Sequence, residues 1–247
     1  MDVLIHGYTG RMGTVLSNMA MEGTAGANLV ARVSPECTCD GVDNCYVSLD
    51  RFTGSADVVI DFSNHAATET LVNYCVSRGF ALVIATTGQT EEELAMIHEA
   101  AKKIPVFYSA NMSIGVALVA DLAKKAAATF PNADIEIIEK HHNQKLDVPS
   151  GTALLLANKI REARPEAVYN VGRHEYGKRT KEEIGIHSLR LGGEVGTHEI
   201  IIATGTETIT IKHEAESRTL FADGAMTAAA FISGKPAGLY TMQDIIA

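Results

Sequence analysis

The sequence has no internal repeat, no low-complexity segment, no excess of positive charge and no apolar stretch long enough to span a membrane. Its 247 residues include 21 basic and 30 acidic ones, and the formal net charge of −9 argues against nucleic acid or an anionic membrane as a partner. The first residues already read as a strand, which leaves no room for a signal peptide. We therefore expect a cytoplasmic protein with no nucleic-acid and no membrane partner. Because 46% of the residues are hydrophobic, the chain can bury a large core in one big domain or two small ones.

Cysteine is scarce, with four residues in the whole chain. Cys37, Cys39 and Cys45 cluster in a predicted loop, and Cys75 lies in a predicted helix. In a reducing compartment we expect free thiols. A zinc site made by the three clustered cysteines is an open alternative, but their spacing matches no standard zinc pattern, so we predict no bound metal.

A glycine-rich turn follows the first apolar run. Residues 7–13 read Gly-Tyr-Thr-Gly-Arg-Met-Gly and lead into a helical pattern. A strand, a tight turn and a helix start together allow backbone N–H groups to hold a pyrophosphate. The spacing is G-x-x-G-x-x-G and not the usual G-x-G-x-x-G, so the turn alone does not exclude an ordinary strand-to-helix connection.

Apolar runs and helical patterns then alternate over the next hundred residues. Strands are predicted at 29–33, 57–62, 81–84 and 105–108, and helices at 65–78 and 90–103. This alternation predicts right-handed crossovers and an α/β fold with a Rossmann-type doubly wound parallel sheet. Small polar loops follow three of the strands, and ligands bind outside the carboxyl ends of such strands, so we expect a cofactor crevice there.

The end of the second predicted strand bears on the identity of the cofactor. An acidic residue at this point bonds the ribose 2′-OH of NAD and repels the 2′-phosphate of NADP. Here the chain has Arg32 and Ser34, and the first carboxylate is Glu36. The sequence therefore favours NADPH, or both cofactors, over strict use of NADH. The alternative is that Glu36 reaches the ribose from the loop.

The second half of the chain has a different pattern. A helix at 115–129 is followed by strand-like runs, and a helix returns at 217–233. The strands are predicted at 135–139, 184–191, 197–203 and 206–213, with a polar loop at 170–183. Residues 204–206, Thr-Gly-Thr, read as a hairpin turn. We expect a second, α+β domain with a mixed or antiparallel open sheet.

The segment from 139 to 153 concentrates titratable side chains. If His141 and His142 continue the strand, their side chains point to opposite faces, which gives them different tasks and argues against one shared metal ion. An imidazole is the natural general acid near neutral pH, and Lys145 adds a cation.

A helix start follows these side chains. Ser150 is a good N-cap, and the N–H groups of Gly151 and Thr152 should be free donors that suit a carboxylate ligand. The alternative is that residues 150–152 only cap the helix.

At this point the sequence resembles a known family. The segment from Glu139 to Ala153 is similar to the signature of the 4-hydroxy-tetrahydrodipicolinate reductases, the dihydrodipicolinate reductases of lysine and diaminopimelate biosynthesis. Further motifs that carry the resemblance lie at 7–13, 61–63, 85–88, 110–116, 190–193, 217–218, 221–225 and 238–242.

The resemblance implies two domains and one reaction. Residues 1–111 and 217–247 would form a dinucleotide-binding domain, and residues 112–216 a substrate-binding and oligomerisation domain of a homotetramer. The enzyme would use NADPH or NADH to reduce 4-hydroxy-tetrahydrodipicolinate, a small dicarboxylate, to tetrahydrodipicolinate with loss of water. Domain closure about hinges near Asn111 and Glu216 would accompany the transfer of hydride from nicotinamide C4.

The resemblance also implies roles for individual residues, with no metal among them. His141 would be the proton donor and Lys145 a second one. The dicarboxylate would be held by His142, Gly151 and Thr152, with Ser150 close by. The residues implied for the cofactor are Gly7, Tyr8, Thr9, Gly10, Arg11, Met12, Ser34, Phe62, Ala85, Thr86, Thr87, Ser109, Ala110, Asn111, Met112 and Arg218.

Four positions depart from the commoner pattern of this family. Ala85 stands where Gly is usual, Met112 where Phe is frequent, Val148 where Ala is typical, and Ser34 where an acidic residue is usual. Ser34 bears directly on cofactor preference, and Met112 could alter the packing of the nicotinamide.

Three other classes of protein are alternatives. An amino-acid dehydrogenase of the same architecture would need no dicarboxylate site. A nucleotide-sensing regulator would be expected to lose the pair His141 and Lys145. A metal-dependent hydrolase would use His141 and His142 to bind its ion.

Overall fold

The computed structural model describes all residues from Met1 to Ala247, and the chain divides into two compact units. The first unit consists of Met1–Ser113 and Thr219–Ala247, and the second of Ile114–Arg218. The chain therefore leaves the first unit once, builds the whole second unit and returns.

The chain forms twelve strands and seven helices. The strands are β1 (Asp2–His6), β2 (Asn28–Val33), β3 (Cys45–Tyr46), β4 (Val58–Asp61), β5 (Ala81–Ile84), β6 (Pro105–Tyr108), β7 (Asp134–His141), β8 (Val168–Val171), β9 (Glu183–Arg190), β10 (Gly196–Ala203), β11 (Thr208–Ala215) and β12 (Gly238–Tyr240). The helices are α1 (Arg11–Met21), α2 (Thr68–Arg78), α3 (Glu91–Ala101), α4 (Ile114–Thr129), α5 (Gly151–Arg161), α6 (Thr219–Ile232) and α7 (Met242–Ile246). None of the helices combines the length and the apolar character needed to cross a bilayer.

The first unit is built on a seven-stranded sheet of order β12-β6-β5-β4-β1-β2-β3, in which all neighbours are parallel. Every residue of β4 and β5 is buried, as expected for strands covered on both faces. Helix α1 packs with α6, and α2 packs with α3. The predicted Rossmann-type doubly wound sheet is confirmed.

Two strands of this sheet escaped the sequence analysis. β3 has two residues and β12 has three, and they form the two ends of the strand order. Such short segments carry no measurable alternation, so hydrophobic periodicity cannot reveal them. The predicted helix at 65–78 also needs a small correction, because it opens with a 3₁₀ turn before α2 begins at Thr68.

The second unit contains a five-stranded mixed sheet of order β11-β10-β7-β9-β8. β10 runs antiparallel to β11 and β7, whereas β9 runs parallel to β7 and β8. Alternate isoleucines of β7, β9 and β10 form one core with the small and apolar residues of α4 and α5. The predicted α+β unit with a mixed sheet is confirmed.

The loop predicted at 170–183 is partly wrong. Asn170 and Val171 belong to β8, and Glu183 begins β9. The hairpin turn is longer than predicted, because Thr204 N–H donates to the Glu207 carbonyl at 3.0 Å, so β11 begins at Thr208 and not at 206. β8 is a polar strand at the edge of the sheet and resembles a loop in sequence, which explains the first error. The second error arises because Thr206 and Glu207 continue the alternating pattern of β11 although they belong to the turn.

Candidate active site

The glycine turn of the first unit lies between β1 and α1, at the point where the strand order reverses between β1 and β4. Gly7 has a φ of +83°, and a Cβ there would lie 2.6 Å from the carbonyl oxygen of Phe62. A Cβ on Gly13 would collide with the carbonyl oxygen of Gly7. Both positions therefore require glycine for close backbone packing. Phe62, a predicted cofactor residue, is placed against this turn.

Helix α1 starts without any side-chain cap. Gly10 is its N-cap residue, no side chain accepts a hydrogen bond from the first turn, and no acidic residue lies there. The N–H groups of the first turn and the positive end of the helix dipole are therefore not neutralised by a side chain. Arg11 and Met12 open this turn, and an anionic group is the ligand that it suits.

The side chains at the end of β2 are held by hydrogen bonds to neutral groups. The Ser34 and Thr9 hydroxyl oxygens are 2.7 Å apart, and Ser34 is almost completely buried. Arg32 lies with its guanidinium 5.6 Å from the ring centre of Tyr8, and its Nη2 donates to the carbonyl of Asp43 at 2.8 Å. Both residues that the sequence analysis considered for cofactor preference are thus held in place.

Hydrogen bonds join the loops after β4, β5 and β6. Ser63 N–H donates to the Thr86 hydroxyl at 2.9 Å, and Ser109 N–H donates to the carbonyl of Ile84 at 3.3 Å. The Ser109 hydroxyl in turn donates to the carbonyl of Asn111 at 2.7 Å. Seven predicted cofactor residues therefore lie on two adjoining loops of this edge: Ala85, Thr86, Thr87, Ser109, Ala110, Asn111 and Met112. Met112 is buried, and its carbonyl oxygen leaves no room for a Cβ at Gly224.

A buried histidine–carboxylate pair in the first unit was not predicted. His6 Nδ1 lies 2.7 Å from Asp61 Oδ1, and the Ser63 hydroxyl donates to the same oxygen at 2.6 Å. These contacts fix the loop that follows β4. The signal in the sequence is a charged residue at the end of an otherwise apolar strand.

Of the clustered cysteines, Cys37 and Cys39 lie in the loop between β2 and β3, and Cys45 begins β3 instead of lying in the loop as predicted. All four cysteines are free thiols, and the Cys37 and Cys39 sulfurs are 4.0 Å apart. A hydrogen bond with Tyr8 lowers the pKa of Cys37, whereas a hydrogen bond with Cys45 and burial raise the pKa of Cys39 to about 11. The structure contains no group of three or more His, Cys, Asp or Glu side chains arranged to hold a metal ion.

In the second unit, the candidate acid His141 ends β7 and is buried. Its Nδ1 lies 2.5 Å from Oε2 of Glu139, which has no exposed surface. The two residues are two positions apart on one strand, so they share a face of the sheet. Arg190, the neighbour of His141 on β9, donates from Nη1 and Nη2 to the two oxygens of Glu139 at 2.9 and 2.8 Å. Ser150 N–H also donates to Glu139, at 3.1 Å.

This arrangement fixes the charge of Glu139. Burial raises the pKa of its carboxyl, but the hydrogen bonds from His141 and Arg190 outweigh burial and hold the pKa well below the usual range. The same contact raises the pKa of Arg190. An ionised carboxylate can only accept hydrogen bonds, so the proton shared with His141 belongs to Nδ1 of the imidazole. The other ring nitrogen, Nε2, is then available for proton exchange.

A second imidazole packs against His141. The rings of His141 and His198 are edge to face, with centres 5.1 Å apart. Burial, and then the charge of His141, lower the pKa of His198 to about 3, so it is neutral near pH 7. Its Nε2 is 3.1 Å from the Ser150 hydroxyl, which accepts the N–H of Ala153 at 3.1 Å. Ser150 is therefore the predicted N-cap of α5.

The start of α5 differs from the expectation in one respect. The N–H of Gly151 faces the carboxylate of Asp147. The same carboxylate lies 2.9 Å from Nζ of Lys145. Burial raises the pKa of Asp147, but these contacts outweigh it and the pKa is lowered. One of the two donors expected for a ligand carboxylate, Gly151 N–H, thus faces a carboxylate of the chain itself, together with Lys145. Thr152 follows in the first turn of the helix.

His142 and Arg218 form a separate contact. His142 Nε2 is 3.1 Å from Nη2 of Arg218, and burial followed by the charge of Arg218 lowers the pKa of His142. Arg218, predicted with the cofactor residues, belongs to the second unit. The partners of His141 and His142 are different, in keeping with the separate tasks expected for them.

Three residues of this cluster were missed by the sequence analysis. Glu139 could have been found, because it precedes His141 by two residues in a predicted strand and must share its face. Arg190 and His198 reach the cluster through pairing of β9 and β10 with β7. That register cannot be read from one sequence.

Comparison with protein families places both parts of the chain in one group. Residues 1–112 match the family model described as dihydrodipicolinate reductase, N-terminus, and residues 115–246 match dihydrodipicolinate reductase, C-terminus. The chain is 44% identical to the 4-hydroxy-tetrahydrodipicolinate reductase of Clostridium tetani, over 99% of this chain and 96% of that protein. It is 46% identical to the corresponding reductase of Caldanaerobacter subterraneus, over 99% and 97%.

Solved structures agree with this grouping. A dipicolinate-bound dihydrodipicolinate reductase from Paenisporosarcina sp. superposes with a TM-score of 0.81 at 27% identity and covers 100% of this chain and 99% of that one. An amine dehydrogenase from Mycobacterium smegmatis has a TM-score of 0.66 at 11% identity, over 98% and 95%, which shows a shared fold alone.

Proposed function

The chain belongs to the dihydrodipicolinate reductase family, and from this membership we propose that it reduces 4-hydroxy-tetrahydrodipicolinate to tetrahydrodipicolinate, with loss of water, using a nicotinamide cofactor. The product belongs to lysine and diaminopimelate biosynthesis. The observation that carries the proposal is the buried pair of His141 and Glu139, beside the helix start at Ser150 and Gly151. A proton donor next to a carboxylate-binding helix end is what reduction of a dicarboxylate imine requires.

The chemistry of the second unit follows from its hydrogen bonds. When hydride adds to the conjugated imine, negative charge develops on the ring and must be met by a proton. The imidazolium form of His141 would deliver that proton from Nε2 and become the neutral ring, whose Nδ1–H stays hydrogen-bonded to Glu139. Lys145 serves as a second proton donor. The neutral ring of His198 packs against the ring of His141 and adds no charge beside it.

Carboxylate binding is the proposed role of the helix start. His142, Ser150, Gly151 and Thr152 would hold the substrate together with Lys145. Asp147 supports this assignment, because its carboxylate already bridges Lys145 and Gly151 N–H. A substrate carboxylate would replace it. The relative from Paenisporosarcina, solved with the dicarboxylate dipicolinate, supports the same class of ligand.

The first unit fits a dinucleotide. Close packing at Gly7 and Gly13 and the uncapped start of α1 leave backbone N–H groups for a pyrophosphate. We assign the phosphates to residues 7–12 and the nicotinamide side to the loops at 85–87 and 109–112, with Ser34 and Phe62 at the edges. When bound, the cofactor supplies the hydride. On this proposal the first unit is the dinucleotide-binding domain and the second the substrate-binding and oligomerisation domain.

For the cofactor we propose NADPH, or both NADPH and NADH. The support is at the end of β2, where Ser34 is buried against Thr9 and the nearby charged side chain is Arg32. Neither repels a 2′-phosphate. The exposed Glu36 is the remaining route to a preference for NADH.

Assembly and location complete the proposal. We propose a homotetramer that uses the sheet face of the second unit opposite α4 and α5. This face carries Ile138, Ile201 and the exposed Leu189, which are apolar residues that a partner subunit would cover. A cytoplasmic location with no nucleic-acid or membrane partner is proposed from the net charge of −9.

The test is a coupled assay. Substrate is generated in place by the preceding synthase from pyruvate and aspartate semialdehyde, and oxidation of NADPH and of NADH is followed by absorbance. We expect oxidation that depends on the substrate, and the ratio of the two rates gives the cofactor preference. Folded protein that binds nucleotide but oxidises neither cofactor would contradict the proposal and favour the dehydrogenase or the sensing alternative.

A further inference from the structure

We infer that Glu139 is a positioning residue for the reaction: it holds His141 in the tautomer with the proton on Nδ1, and Arg190 and Ser150 N–H hold Glu139 itself. This inference rests on the proposed function and assigns a task to a residue outside the expected catalytic pair. His141 would touch the substrate, and Glu139 would act through it.

The first support is the number of donors that converge on Glu139. Its two oxygens accept from His141, from both terminal nitrogens of Arg190 and from Ser150 N–H. A buried carboxylate without partners is strongly disfavoured, and this one is fully satisfied. Glu139 is therefore locked by three separate segments: β7, β9 and the start of α5.

The second support is the direction of the imidazole. With Nδ1 tied to Glu139, Nε2 points away toward Gly196, where a Cβ would lie 3.0 Å from it. A side chain at position 196 would therefore crowd the nitrogen that exchanges the proton. Glycine at this position keeps Nε2 accessible.

The third support is the electrostatic setting of His141. Glu139 contacts the imidazole directly, Arg190 on β9 reaches it through Glu139, and the ring of His198 on β10 packs against it. His142 and His198 both feel the charges of His141 and Lys145. Glu139 is the anion in direct contact with the imidazole. Removing its charge would take away the acceptor that fixes the proton of the imidazole on Nδ1.

Glu139→Gln is the decisive variant. A glutamine keeps the shape, but its single oxygen cannot accept from His141, Arg190 and Ser150 together, and its NH₂ group would face another donor. We expect kcat to fall on the order of 10²-fold with a change in KM below about threefold.

Two further variants separate positioning from simple packing. Glu139→Asp keeps the charge but changes the shape, so we expect it to recover at least about tenfold of the lost kcat. A purely structural role predicts the reverse order, with glutamine milder than aspartate. Glu162→Gln is the control, since Glu162 pairs with Lys124 at 2.7 Å at the C-terminal end of α5, away from the sheet face proposed for assembly, and its kcat should stay within about twofold of wild type.

A separate control is needed in case a variant does not fold. Losing one partner of a buried ion pair can unfold a protein. If Glu139→Gln does not fold, the double variant with Arg190→Gln removes both charges, and we expect folded protein with kcat still low. A double variant, or a folded Glu139→Gln, with kcat within about threefold of wild type would overturn the inference.

Nuclear magnetic resonance tests the inference without an activity assay, because it reports which nitrogen of His141 carries the proton. In protein with ¹⁵N-labelled histidine, the His141 signals are assigned by their loss in His141→Ala. We expect the neutral ring to carry its proton on Nδ1 in the wild type and to lose that preference in Glu139→Gln. A proton on Nε2 in the wild type overturns the inference. If the coupled assay fails while this tautomer is found, the substrate proposal fails and the positioning role stands.

Discussion

On the proposed assignment, the first unit would bind its ligand through backbone N–H groups and neutral hydroxyls, whereas the second would use ionised side chains. At the glycine turn the important atoms are backbone N–H groups, and the close backbone contacts of Gly7 and Gly13 leave no space for a side chain. At the end of β7 the important atoms belong to His141, Glu139 and Arg190. We therefore expect the first site to lose binding when atoms are added and the second to lose activity when charge is removed.

The largest effect should come from the charged site. His141→Ala removes the proposed acid, and we expect kcat to fall on the order of 10²-fold or more, since general acid catalysis contributes that much. Steady-state kinetics in the coupled assay measures it. His174→Ala, an exposed histidine that bonds only its own loop through Gly172, is the control and should leave kcat unchanged. An unchanged rate in His141→Ala would assign the proton to Lys145 or solvent.

The next largest effect should be a loss of stability of the second unit in acid. The pKa of His198 is about 3 in the folded protein and near 6.5 when unfolded, so only the unfolded chain takes up this proton between those values. Stability from this residue is therefore complete above about pH 6.5 and is lost as the pH falls toward 3, by up to a few kcal/mol.

Denaturant unfolding at a series of pH values tests this, with tyrosine and helix signals as probes. His198→Gln should flatten the pH dependence over that window. The same slope in the variant would show that other groups, Glu139 among them, carry it. Since Glu139 has a lowered pKa, its own contribution is complete above its ordinary value near 4.5 and is lost as the pH falls below that value, so it overlaps the acid end of this window.

The glycine turn should fail by crowding. Gly13→Ala places a methyl group against the carbonyl oxygen of Gly7, and overpacking of this kind costs about 1–3 kcal/mol. We expect lower stability and weaker binding of the dinucleotide, measured by thermal unfolding and by titration with NADPH. Gly193→Ala is the control, because a Cβ there meets nothing within 4 Å. Normal NADPH affinity in Gly13→Ala would remove the turn from the cofactor site.

A smaller effect is expected at the helix start. Gly151→Pro removes one N–H donor at a position where proline is tolerated, so we expect KM to rise by about five- to tenfold, equivalent to one hydrogen bond, with kcat little changed. Kinetics at varied substrate concentration measures the split. Gly193→Ala again serves as a control. A KM equal to that of wild type would leave carboxylate binding to side chains alone.

The smallest change should sharpen cofactor choice. Ser34→Asp introduces a carboxylate at the end of β2, next to Thr9. We expect the NADPH to NADH ratio of kcat/KM to fall by about tenfold, because a carboxylate repels a 2′-phosphate and accepts from a ribose hydroxyl. Glu36→Gln is the companion variant. If that change and not Ser34→Asp shifts the ratio, Glu36 is the residue that reads the ribose.

Sequence reasoning recovered what is local and lost what depends on pairing. β1, the Gly7 turn and the N-cap at Ser150 follow from neighbours within a few residues, so periodicity and capping rules find them. Arg190 and His198 lie about fifty residues beyond His141 and reach it through sheet register. The strand Cys45–Tyr46 is too short for any pattern. The contact of Asp147 with Lys145 and Gly151 is a loop conformation that composition does not encode.

The return of the chain to the first unit has a consequence for biosynthesis. Helix α6 packs on β4, β5 and β6, and most of its inner residues are completely buried, yet it begins only at Thr219. On a ribosome, the whole second unit emerges before this helix does. An apolar surface of the sheet in the first 113 residues therefore stays uncovered until the second unit has been synthesised and α6 follows it. A nascent chain stalled before Thr219 should for that reason bind chaperones strongly and aggregate readily.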